Sequence, residues 1–333
     1  MKKITLVMIL VALSAALVFA GGKAEVTEKE TVLTVATVAV EKQYHPYSEA
    51  CAKMQEYVAQ KTNGKLTLRI YYGGSLTADE KEMLVMMRGG SLDMAIIAPS
   101  PMTTYEPIFA VLSLPYIFRD LDHAEKVMGG EVGSILRSKS EAKGFKILTW
   151  MIGKGFRSVN AIKAVYKPED LAGLKVRVMQ DPAYIDTFLA FGAKPVPIAW
   201  GELHTALQTK TIDAHENDPQ VLDEYKFIEF TPFVSLTEHS LSPTPIVISK
   251  PKYDTLPANF QKVLGEAADI ARVQGRKVAN DVIDKAYGGI EKQGGKVNKV
   301  DKDAFLKAAK PIIDKYKTKF GEEGAKLVDL ITK

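Results

Sequence analysis

Residues 171–219 read LAGLKVRVMQDPAYIDTFLAFGAKPVPIAWGELHTALQTKTIDAHENDP. Alternation in 174–178 sends Leu174, Val176 and Val178 to one face of a strand and Lys175 and Arg177 to the other. A guanidinium near a strand end is costly to bury without an anion, and its planar fork suits a carboxylate. Downstream, the spacing predicts a helix over 182–191, a second over 202–209 and a strand over 212–215. Strands alternating with helices imply α/β layers in which helices cover a sheet.

The same alternation runs outward in both directions. Residues 31–40 are β-branched and read as a first strand. A helix follows, with Pro46 near its start and Gly64 closing it. Then come strand 65–72, helix 78–87, strand 92–98, a helix from Asp120 towards Ala142 and strand 145–151. Two stretches echo each other: MLVMMRGGSLDMAI and LHTALQTKTIDAHE both run helix, tight turn, hydroxyl residue, aliphatic residue, aspartate, strand. In this echo Asp93 and Asp213 begin equivalent strands of two lobes. Residues 235–250 alternate and read as a crossing between lobes. Residues 251–287 carry apolar side chains at helical spacing, with Gly275 a candidate break. A short strand over 296–300 and helices from Asp301 and Gly321 complete the chain. No low-complexity linker divides it, so the lobes are expected to interlock.

Bulk properties narrow the class. Lys2 and Lys3, the apolar run 4–19 and Val18-Phe19-Ala20 read as a cleaved secretory signal over 1–20. Gly21 stands where a lipoprotein needs cysteine, so the reading is of a protein without a lipid anchor. Residues 21–30 are small and charged and read as a disordered leader. With 333 residues in all, two domains are the expectation. A formal charge of +4, spread through a mixed surface, gives no argument for nucleic acid. Cys51 is the single cysteine, which excludes an intramolecular disulfide, and its helical spacing with Met54 and Val58 reads as a buried, inert thiol.

The catalytic inventory is thin. There is no Gly-x-Ser-x-Gly elbow, HExxH, paired CxxC or GxxxxGK loop. His204 and His215, with Glu202, Asp213 and Glu216, lack the spacing of a metal site, so no metal and no cofactor are expected. Arg157 lies in the glycine-rich GKGFRSVNA just after a predicted strand, 20 residues before Arg177.

That interval, the 171–219 stretch, and GGSLTADEKEMLVMMRGGSLDMAI followed by LPYIF resemble the DctP family, the extracytoplasmic solute-binding proteins of TRAP transporters. The resemblance covers residues 31 to about 320 and is strongest over 171–216. It implies an α/β fold of periplasmic-binding-protein type II-like form: two α/β lobes joined by a hinge, with a long bridging helix. Lobe 1 would comprise 31–154 plus about 243–282, and lobe 2 155–242 plus about 283–333. By resemblance Arg177 makes the main two-pronged bond to a substrate carboxylate, and Arg157 a second, more exposed contact. Asp213, Glu216 and Asn217 match the family's Asp-Gly-Gln-Glu-Asn-Pro pattern, from which Ala214, His215 and an added Asp218 depart. Val159-Asn160 departs from the family's Thr-Asn. Gln180, Trp200, Tyr44, His45 and Ser100 fall where the family lines its cleft. The implied function is capture of a small organic acid, a C4-dicarboxylate or sugar acid among others, in the periplasm. Delivery would be to a small and a large permease subunit. A secreted enzyme acting on an organic acid and the ligand-binding component of a sensory system are the alternatives.

Overall fold

The computed structural model describes residues 30–333. The signal reading at 1–20 and all but the last residue of the leader lie outside the described residues. The strands are β1 (Thr31–Thr37), β2 (Leu66–Tyr71), β3 (Met94–Ile96), β4 (Phe145–Met151), β5 (Arg157–Ala161), β6 (Lys175–Val178), β7 (Lys194–Pro197), β8 (Ala214–Asn217), β9 (Phe233–Ser240), β10 (Thr244–Ser249) and β11 (Lys296–Asn298). The helices are α1 (Pro46–Lys61), α2 (Glu80–Gly89), α3 (Leu121–Gly129), α4 (Glu131–Ala142), α5 (Pro182–Ala190), α6 (Leu203–Gln208), α7 (Pro219–Tyr225), α8 (Lys250–Asp254), α9 (Ala258–Lys292), α10 (Lys302–Lys319) and α11 (Gly321–Thr332).

The strands form two sheets. One is ordered β2-β1-β3-β10-β4 and the other β11-β9-β5-β8-β6-β7. In the first, β1 is parallel to β2 and β3, while β10 runs antiparallel to β3 and β4. In the second, β6 is parallel to β7 and β8, while β5 runs antiparallel to β8 and β9. The chain crosses between sheets after β4, after β9 and again, through α9, after β10. α9 packs on α1 and β4 at one end and buries Ile290 among Leu222, Phe227 and Ile228 of the second lobe at the other. The fold is therefore the two-lobe, type II-like arrangement that the sequence implied, with helix α9 touching both lobes.

The internal echo has a structural cause. Asp93 Oδ2 accepts from Thr34 N at 2.8 Å, and Asp213 Oδ2 accepts from Lys175 N at 2.9 Å. Each aspartate sits just before its strand and ties that strand's start to the parallel neighbour, which fixes register in both lobes.

Several boundaries differ from expectation. The helix from Asp120 is two helices, because Gly130 takes φ −97° and ψ −149° and turns the chain between α3 and α4. α9 is not broken at Gly275. A Cβ there would sit 3.4 Å from the Pro46 carbonyl, an ordinary contact, so the helix packs directly against the start of α1 at this point. The helix expected from 251 is split, because Pro257 has no N–H and stands as the N-cap of α9. The expected division also placed residues 283–333 in lobe 2. α11 instead packs on α4, with Leu327, Val328 and Ile331 in one core with Phe109 and Leu136 of the first lobe. Cys51 is fully buried, and burial pushes its thiol up to about 12, which leaves it inert at neutral pH.

Candidate functional site

The carboxyl ends of β1, β3, β6, β7 and β8 all face one cleft between the lobes, of about 930 Å³ counting the space that opens to solvent. Ligands of open α/β sheets bind at such strand ends, because loops there converge and backbone groups are left unpaired. The first lobe contributes the ends of β1 and β3 and the starts of α1 and α2. The second contributes Arg157, Arg177, Gln180, Trp200 and Asn217.

Arg177 is on the buried strand β6, and its side chain is 3% exposed. Nε donates to the Ile198 carbonyl at 3.0 Å, which orients the guanidinium plane. Among the described residues its two terminal nitrogens have no hydrogen-bond partner and it forms no ion pair. Burial without a carboxylate partner pulls its pKa down to about 10. It is a fork held in position with its prongs open towards the cleft.

Arg157 is a different kind of cation. Its Nε and Nη2 both reach the Glu216 carboxylate, and Nη2 also donates to the Glu216 carbonyl and, at 2.9 Å, to Asn217 Oδ1. Burial opposes its charge, but the Glu216 carboxylate more than offsets this and raises its pKa. Burial likewise works against the charge of Glu216, yet Arg157 holds that carboxyl down at about 2. The expected exposed Arg157 is thus corrected: it is 5% exposed, and its Nε and Nη2 are taken by Glu216 and Asn217. Glu216 stands behind the cleft wall rather than in its lining, because its carboxylate is spent on Arg157.

The pair also fixes Asn217. With Oδ1 taken by Arg157, its Nδ2 lies 2.9 Å from His215 Nδ1, and His215 Nε2 lies 3.1 Å from Thr231 Oγ1. Thr231 in turn donates to the Phe227 carbonyl. The chain of bonds reads one way only: His215 is neutral, carries its proton on Nε2, and accepts from Asn217 on Nδ1. Burial, then Arg177, pull the His215 pKa down to about 3. One Asn217 N–H remains beyond this network, so the amide can offer the cleft a donor.

The opposite wall belongs to the first lobe. His45 lines the cleft, yet its Nδ1 accepts from Tyr47 N and Ser48 N at 3.2 Å each, so it caps α1. Ser100 lines the cleft at the end of β3, and Trp200 packs edge-on against Tyr225 with ring centroids 4.9 Å apart. Tyr44 is not in the lining. It projects from a left-handed residue with φ 61°, is 68% exposed, and borders a separate surface groove. The sequence reading missed Glu80, Lys154 and Tyr47, all of which line the cleft. Glu80 reads as an ordinary acidic first-turn residue, and nothing local says that α2 points its start at the cleft.

Contacts between the lobes close over this space. Tyr225 Oη donates to the Val38 carbonyl at 3.1 Å, and Ser113 Oγ donates to Asp181 Oδ2 at 2.6 Å. A Cβ on Gly201 would meet Ala78 Cβ at 2.8 Å, so glycine permits the approach of the two walls. Among the described residues no group of three or more His, Cys, Asp or Glu is placed to hold a metal ion, and no helix is long and apolar enough to cross a membrane.

Comparison with known proteins gives a consistent result. The family model for bacterial extracellular solute-binding protein family 7, DctP, matches residues 37–319. The 2,3-diketo-L-gulonate-binding periplasmic protein YiaO of Escherichia coli (strain K12) is 35% identical over 261 residues, 78% of this chain and 79% of that protein. A TRAP periplasmic solute-binding protein from Polaromonas sp. JS666, crystallised with D-erythronate, superposes with a TM-score of 0.86 at 31% identity, covering 91% of this chain and 98% of that one. A TRAP periplasmic solute-binding protein from Citrobacter koseri, crystallised with D-glucuronate, gives 0.84 at 31% identity, covering 90% and 98%.

Proposed function

The chain belongs to bacterial extracellular solute-binding protein family 7, DctP, and we propose that it captures a small sugar acid or related organic acid through Arg177 in the periplasm. It then delivers that acid to the membrane permease of a TRAP transporter. The observation that carries the reading is the Arg177 guanidinium, buried and oriented by Ile198, with both terminal nitrogens open to the cleft. A bidentate carboxylate satisfies both prongs and supplies the missing charge. Asn217 adds a donor beside it, and Trp200 an aromatic wall.

The ligand class is supported by the acids bound in similar proteins: a 2,3-diketo-gulonate binder, an erythronate complex and a glucuronate complex. All are carboxylates carrying hydroxyl or carbonyl groups along the chain. Binding rather than catalysis is supported by the imidazole at the cleft wall, since His45 spends its acceptor nitrogen on capping α1. Closure of the lobes would exclude water and strengthen the charge-assisted bonds.

A thermal-shift screen with aldonates, uronates and C4-dicarboxylates tests the reading. A cognate acid at 100 times its dissociation constant stabilises the protein by about 2.7 kcal/mol. A panel in which no acid raises the melting temperature would overturn it.

A further inference from the structure

Building on the reading of the cleft as an organic-acid site, we propose that Glu80 restricts it to monoanions: one carboxylate docks on Arg177, a hydroxyl of the same molecule donates to Glu80, and a second carboxylate is turned away. A cleft that draws acids in on arginine has no need of a carboxylate in its lining, yet Glu80 is there. Its position is fixed. It opens α2 just after the cap Asp79, whose carboxylate accepts from Lys81 N at 2.8 Å. Glu80 Oε1 accepts from Ala98 N at the end of β3, at 2.9 Å. That bond ties the side chain across the first-lobe wall and leaves Oε2 without a hydrogen-bond partner among the described residues.

Glu80 and Arg177 belong to different lobes and form no ion pair, although each feels the other's charge through space. Burial raises the Glu80 pKa, opposed by the Ala98 N–H and the charges of Lys154, Arg177 and Arg157. What fits between them must accept hydrogen bonds at the Arg177 end and donate at the Glu80 end. A hydroxyl donates, whereas an ionised carboxylate only accepts. Of the other cations in the lining, Arg157 grips Glu216 through Nε and Nη2, and Lys154 Nζ stands 3.8 Å from Asp218. Lys81 adjoins Glu80 in the chain and lines the cleft beside it, so a second carboxylate that approached Lys81 would also meet the charge of Glu80. Glu80 therefore discriminates by repulsion as well as by a hydrogen bond.

The test is calorimetry with matched acids. D-glucuronate is paired with its diacid D-glucarate, and D-galactonate with galactarate. The pair whose monoacid binds tighter is then measured on the parent and on Glu80→Gln, which keeps the Oε1 acceptor for Ala98 and removes the charge. Circular dichroism and the melting temperature check folding of the variant. The parent should favour the monoacid by about 100-fold or more, as expected of like charges brought together. Glu80→Gln should bring that ratio below about tenfold, chiefly by tightening the diacid. Equal binding of both acids by the parent, or an unchanged ratio in the variant, overturns the role of Glu80 while leaving the acid site standing. Binding of neither monoacid by the parent overturns this inference together with the sugar-acid reading on which it rests.

Discussion

Arg157 and Glu216 form a closed pair inside the second lobe: Nε and Nη2 of the guanidinium grip both carboxylate oxygens, and Nη2 also reaches the carbonyl of the same glutamate. Twenty residues along the sequence, Arg177 is equally buried and has no such partner. Two arginines that look alike in sequence therefore do different things. One builds the wall and sets the direction of the Asn217 amide, and the other is left open.

The first consequence concerns stability. Glu216→Gln strands a buried guanidinium and should cost about 3–5 kcal/mol, the usual loss when one partner of a buried pair is removed. Urea unfolding of the protein without ligand reads this directly. A change under about 1 kcal/mol would mean that Arg157 finds other partners or water.

The pH dependence follows from groups held away from their ordinary pKa. His215 is held at about 3 against 6.5, so it is neutral in the fold while the unfolded chain takes up a proton below pH 6.5. Its contribution is present above 6.5 and is lost as pH falls towards 3. Glu216, held at about 2 against 4.5, contributes above 4.5 and loses its contribution as pH falls through to 2. Asp181 and Glu224, raised to about 6 by burial, act in the opposite sense, so the sum of these groups alone is not diagnostic. The diagnostic quantity is the stability gap between the parent and His215→Gln. It should change in favour of the variant by about 1.4 kcal/mol per pH unit below 6.5. A gap that stays constant from pH 7.5 to 4 would show that His215 is not held neutral.

Much of this architecture was legible in the chain. The β4 strand, the start of α1 at Pro46 and the start of α5 at Pro182 follow from period and from proline at the first helical turn. Asp93 and Asp213 were recognisable as equivalent from the echo of the two stretches around them, and the structure adds that each ties a strand start to its neighbour. What was not legible depends on contacts distant in sequence. Glu216 pairs across 59 residues and Tyr225 reaches Val38 across 187. Nothing near Arg157 reveals that the Glu216 carboxylate already grips it, and nothing near Glu80 reveals that it lines the cleft. The place of α11 on the first lobe is likewise decided by which apolar surface is left uncovered, not by its own amphipathic pattern.

Closure is testable at Gly201, where a side chain would run into Ala78 of the other wall. Gly201→Val should leave each lobe folded but hold them apart. Small-angle scattering with saturating ligand should show contraction of the parent and little or none in the variant, with affinity reduced at least about tenfold, the size of one lost 1.4 kcal/mol increment. Full contraction and parental affinity in the variant would mean that the two walls need not meet.

Arg177 is where the account is most exposed, and calorimetry of Arg177→Ala and Arg177→Lys with the cognate acid is the most direct measurement. Alanine removes the carboxylate's partner and should cost about 2–5 kcal/mol of binding. Lysine keeps the charge but loses the planar fork and should fall between alanine and the parent. Without ligand, Arg177→Ala should be no less stable than the parent, because it removes a buried cation that lacks a carboxylate partner. If Arg177→Ala binds the acid as the parent does, the carboxylate does not dock there and the assignment of the cleft is wrong.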